Sequence, residues 1–119
     1  MPYFDHSATT PVHPDVLELM AITQRDVYGN PSSVHAQGRK AKSIIEKARR
    51  QVAAAIGAKP DQIIFTSGGS ESNNQVLRSV LNMNKKHIIA TAIEHPAILN
   101  VLKSLEQFGI SHNCISVDP

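Results

Sequence analysis

After residue 61 three short apolar runs recur: Ile63-Ile64-Phe65-Thr66, His87-Ile88-Ile89-Ala90 and Cys114-Ile115-Ser116-Val117. Each is separated from the next by a stretch long enough for a helix. β-branched residues in runs of this length suit buried strands. Strands linked by helical crossovers form a parallel sheet with helices packed on it. The expected class is α/β. Between the last two runs, Pro96 can open a helix that continues through Leu99, Leu102, Leu105 and Glu106 and stops at Gly109.

The rhythm is different before Gly57. Pro14 followed by Asp15 suits a first helical turn, and Val16, Leu19, Met20 and Thr23 then recur at helical spacing, which predicts a helix over 14–26. The stretch Val27-Tyr28-Gly29-Asn30-Pro31-Ser32-Ser33-Val34-His35 is dense in turn formers and is expected to be a loop. From Gln37, apolar positions at Ala41, Ile44, Ile45, Ala48, Val52, Ala55 and Ile56 repeat every three or four residues with charges between them. That pattern predicts a long amphipathic helix stopped by Gly57 and Pro60.

The first of the three runs leads into Ser67-Gly68-Gly69-Ser70 and then a polar helix start. Glycines let a backbone approach a ligand, and the free N–H groups and dipole of a helix start favour an anion such as phosphate. The plainer reading is a turn whose Ser70 or Ser72 caps the helix. A triphosphate loop would place Lys and then Ser or Thr after its last Gly, where Glu71 and Ser72 stand. A dinucleotide fingerprint needs a third Gly in G-x-G-x-x-G, which is missing. A serine-hydrolase elbow, G-x-S-x-G, matches Gly68-Gly69-Ser70-Glu71-Ser72 except at its last position and stays open as an alternative.

Charge and composition narrow the partners. Twelve Lys and Arg against ten Asp and Glu lie scattered, with 4% aromatic residues, so no nucleic-acid footprint is expected. No apolar run reaches the roughly 20 residues that span a bilayer, and the start Met-Pro-Tyr-Phe-Asp has no signal-peptide pattern. With the single cysteine Cys114, the expectation is a cytoplasmic protein without disulfides or membrane contact. His6, His13, His35, His87 and His112 include no pair at the close spacing of a helical metal site, and no metal is expected.

Four motifs in order carry a resemblance: Tyr3-Phe4-Asp5-His6-Ser7-Ala8-Thr9-Thr10-Pro11, Gly29-Asn30-Pro31-Ser32-Ser33-Val34-His35, Phe65-Thr66-Ser67-Gly68-Gly69-Ser70-Glu71-Ser72-Asn73-Asn74, and Glu94-His95-Pro96-Ala97. Together they resemble the NifS/IscS-like cysteine desulfurases, pyridoxal 5'-phosphate (PLP) enzymes of the class V aminotransferase group. The resemblance covers nearly all of this chain and the first part of a longer family. It implies the N-terminal part of a fold type I PLP-transferase large domain, with helices packed on a mainly parallel sheet. One incomplete domain is expected over 1–119, in which 1–60 is an N-terminal helical segment and 61–119 begins the PLP-binding α/β domain.

By the same resemblance, Gly69 and Ser70 hold the cofactor phosphate, with Ser70 standing where the family more often has Thr. His95 stacks on the pyridine ring and helps move protons, while Ala8, Thr9 and Asn30 line the substrate side. Without the resemblance, His95 is simply a helix starter beside Pro96, and the others are turn residues. The implied reaction takes sulfur from L-cysteine and gives L-alanine and an enzyme persulfide for iron–sulfur cluster assembly. The implied partners are a second copy or a complementary C-terminal polypeptide, and a sulfur acceptor such as an iron–sulfur scaffold.

The family also needs a Lys that holds PLP, an Asp that pairs with the ring nitrogen and a nucleophilic Cys. None of the three has a counterpart in these motifs. Lys85, Lys86 and Lys103 lie outside them, and Cys114 is expected as a small hydrophobe in a core strand. The chain alone is therefore expected to be inactive. The alternative function is a non-catalytic fragment or interaction module that keeps part of the fold.

Overall fold

The computed structural model describes residues 1–118, which divide into two compact units, the first over Met1–Ile63 and the second from Ile64 onward. The first unit holds helices α1 (Pro14–Asp26) and α2 (Ala36–Ala55), followed by a single 3₁₀ turn over Pro60–Gln62. Both helices fall where periodicity and punctuation place them. Gly57 stands at φ 68°, a left-handed conformation that a residue with a Cβ adopts at a cost, and this ends α2. The Lys40 ammonium ties α2 back to α1 by donating to the Asp26 carbonyl at 3.2 Å. Arg49 of α2 likewise donates to the Ile63 carbonyl.

The loop 27–35 is as expected, and its path explains Gly38. A Cβ on Gly38 would lie 2.3 Å from the Ser33 carbonyl oxygen and 2.7 Å from that of Asn30, so only glycine lets the loop close on α2. Although α1 carries the predicted apolar stripe, it buries none of its residues in this unit, and Leu19 remains 63% exposed.

The second unit runs α3 (Gly69–Arg78), β1 (His87–Thr91), α4 (Pro96–Leu105) and β2 (Ser111–Ile115). β1 and β2 pair in parallel, with Ile88 opposite His112 and Ala90 opposite Cys114. The β1–α4–β2 crossover is the unit anticipated from the strand spacing. Beneath it, Val80, Val101, Leu105 and Ile110 form the core, with Leu77, Leu81 and Ile88 packed against them. Leu102 is buried too, and Gly109 in the left-handed region turns the chain from α4 towards β2.

Two expectations about strands are corrected. Residues 63–66 form no strand, although Ile63 has an extended backbone. Strand identity depends on a ladder, and the sheet among the described residues is built from β1 and β2 alone, with Ile64 and Phe65 exposed. β2 begins at Ser111, three residues before the apolar run, because backbone pairing with β1 decides its register. Cys114 therefore lies in a strand, yet it is exposed and not a core residue.

Candidate functional site

The Gly-rich turn and His95 both belong to the second unit, at the starts of the packed helices α3 and α4. In open α/β sheets, ligand sites form beyond the carboxyl ends of the strands. The loop after β1 carries Glu94 and His95, and Thr91 pins it by donating its hydroxyl to the Glu94 carboxylate at 2.9 Å. His95 caps α4: its Nδ1 accepts the Ala97 N–H at 3.1 Å. That bond puts the proton of the neutral ring on Nε2. The residue is exposed.

The turn before α3 is arranged differently. Gly68 stands at the N-cap and provides no side-chain cap, so the first N–H groups of α3 lack that partner. A Cβ at Gly68 or Gly69 would meet nothing within 4 Å, and neither backbone is left-handed. Packing does not demand these two glycines. An open approach to uncapped N–H groups is what a phosphate requires. The turn itself is held from behind: Ser67 donates both its N–H and its hydroxyl to the Glu71 carboxylate, each at 2.6 Å. The hydroxyl bond, then the backbone bond, hold the Glu71 carboxyl below its usual range. A further bond joins the Thr66 and Ser72 hydroxyls at 2.7 Å.

From this turn a groove of about 350 Å³ runs between the two helices, lined by Ser70, Asn74 and Arg78 on α3 and by Pro96, Asn100 and Ser104 on α4. Sequence reasoning assigned no role to Asn74, Arg78, Thr91 or Ser104. The spacing of Ser70, Asn74 and Arg78, four residues apart on one helical face, was the available signal. No lysine lines the groove.

The remaining candidates belong to the first unit. Ala8 and Thr9 close a turn by donating their N–H groups to the Asp5 carbonyl, and Thr9 Oγ1 is 2.5 Å from the Tyr3 hydroxyl. Asn30 uses its Oδ1 to accept the Ser32 N–H at 2.9 Å. All three are exposed. Among the described residues no group of three or more His, Cys, Asp or Glu converges on one point, and no helix is long and apolar enough to cross a membrane.

Comparison with known proteins adds to this geometry. The class-V aminotransferase family profile matches residues 2–119. A cysteine desulfurase IscS of Dictyoglomus turgidum is 45% identical over 119 residues, and a cysteine desulfurase of Nostoc is 46% identical over 118; each match covers 98% of this chain. Among solved structures, a NifS-like protein superposes with a TM-score of 0.82 at 42% identity, covering 90% of this chain and 30% of that one. A structure described as SspA in complex with cysteine gives 0.88 at 39% identity, covering 97% of this chain and 34% of that one. The chain spans 30% of the length of the curated relatives.

Proposed function

The chain belongs to the class-V aminotransferase family, and from that premise we propose that it is the N-terminal portion of a PLP-dependent cysteine desulfurase. The reaction would be L-cysteine plus an enzyme thiol giving L-alanine plus an enzyme persulfide. The carbon–sulfur bond of the substrate breaks and a sulfur–sulfur bond forms, with no external oxidant. Delivery of that sulfur to iron–sulfur assembly, a homodimeric state and a cytoplasmic setting complete the reading, supported by the NifS- and IscS-named relatives and by a single free cysteine.

One observation carries the proposal: an uncapped helix start behind an open glycine pair shares a unit with an exposed histidine whose Nδ1 is already engaged. These residues fit PLP. Gly69 and Ser70 offer backbone and hydroxyl donors to its phosphate. His95, held by its cap bond, presents a flat face to the pyridine ring and Nε2 for proton transfer. Bound PLP supplies the electron sink that labilises the amino-acid substrate. In the first unit Asn30, with its Oδ1 occupied by the Ser32 N–H, keeps its amide N–H donors for a substrate, and Ala8 and Thr9 are assigned the same substrate role.

The test is PLP binding and alanine formation from L-cysteine by the whole gene product. Saturable PLP binding with alanine release is expected. PLP binding without any turnover of L-cysteine would favour the non-catalytic module.

A further inference from the structure

The phosphate-binding turn and His95 stand on separate helices, so their spacing depends on what joins α3 to α4. Apolar contacts beneath the helices hold them together but are non-directional and tolerate sliding. Directional bonds fix a register, and a continuous chain of them runs along the groove. Asn74 Nδ2 donates to the Ser70 carbonyl at 2.9 Å. Arg78 Nε donates to Asn74 Oδ1 at 3.4 Å, and Arg78 Nη2 crosses to Ser104 Oγ on α4 at 3.3 Å. The Ser104 hydroxyl passes the chain on to the Val101 carbonyl at 2.8 Å. Every donor is a side chain, and the path begins at the backbone carbonyl of the residue assigned to the phosphate and ends at a carbonyl inside the helix that His95 caps.

We propose that Arg78, through Asn74 and Ser104, is a positioning residue that sets the distance between the phosphate-holding turn at Ser70 and the ring-stacking His95. The inference rests on the PLP reading above. Arg78 touches neither Ser70 nor His95 and acts through its two neighbours. Its planar guanidinium suits the task, because donors in a fixed fork serve acceptors on two helices at once, which a lysine's point charge does not. Since Arg78 is exposed, the chain adds little to stability. Its effect lies in geometry: losing the cross-link lets α4 shift against α3, so that a ligand held at Ser70 no longer meets His95 squarely.

The experiment uses the whole gene product titrated with PLP, following affinity and the circular dichroism induced in the bound cofactor, which reports how its ring is set. Arg78→Met and Ser104→Ala are each expected to weaken PLP about fivefold, the factor one lost hydrogen bond carries, and to alter the induced signal. The double variant should lose no more than either single one, since both cut the same link. Ser104→Thr, which keeps the hydroxyl, should restore affinity and signal. Single variants within about twofold of the unaltered protein, with the induced signal unchanged, overturn the inference. Failure of the unaltered protein to bind PLP overturns the cofactor reading and the inference with it. If Arg78→Met does not fold, Ser104→Ala decides alone, because alanine is favourable in a helix.

Discussion

At the scale of single residues, the turn before α3 shows how much one side chain can be asked to do. Ser70→Ala should cost PLP or inorganic phosphate about 0.5–1.5 kcal/mol of affinity, the worth of one donor, by calorimetry. Gly69→Val should abolish the approach of the phosphate while leaving the fold intact, because a Cβ there meets no protein atom. Glu71 makes the turn sensitive to acid. Its carboxyl titrates below the usual range in the folded chain because the charged form accepts two bonds from Ser67, so the contribution is present above the unfolded value and lost as pH falls through the depressed one. The Ser67 amide resonance should therefore shift only below the ordinary carboxylate range, and Glu71→Gln should remove that titration. Motif chemistry made the Gly-rich turn before α3 and the helix start at Pro96 legible. The caps were not: His13, His35 and His95 each accept a backbone N–H on Nδ1 at the start of a helix, a place where Ser, Thr, Asp or Asn is the usual signal.

At the scale of elements, periodicity served the helices well and the strands less so. A helix satisfies its own backbone, so Pro14, Gly57, Pro96 and Gly109 mark boundaries that hold whatever lies nearby. A strand needs a partner, so residues 63–66 have the composition of a strand without a ladder, and β2 starts where β1 pairs with it, upstream of its apolar run. Burial follows the same logic. The β1–α4–β2 crossover closes a core around Leu105, which is fully buried, and Leu105→Ala should destabilise this unit by about 2–5 kcal/mol in chemical denaturation. Val16→Ala on α1 is the contrast: its side chain is 46% exposed, and the same measurement should show little change.

At the scale of the whole molecule, apolar surface is the dominant physical fact. In the second unit Ile64, Phe65, Val76, Ile89, Ile93, Ile115 and Val117 are all exposed, and each strand of the two-stranded sheet has an open edge. Unpaired edges and uncovered apolar residues drive association. The 119-residue chain by itself should therefore self-associate at micromolar concentration, and light scattering showing a stable monomer would refute this. The same chain should release neither sulfide nor alanine from L-cysteine. PLP chemistry needs an amine positioned at the cofactor, and Lys85, Lys86 and Lys103 are exposed and do not line the α3–α4 groove. It also needs an acceptor thiol free to move, whereas Cys114, though exposed, is held in β2 opposite Ala90. Borohydride reduction after incubation with PLP should consequently spread label over several surface lysines, mapped by mass spectrometry. A single stoichiometric lysine adduct accompanied by turnover would overturn the expectation and give one of those lysines the catalytic role.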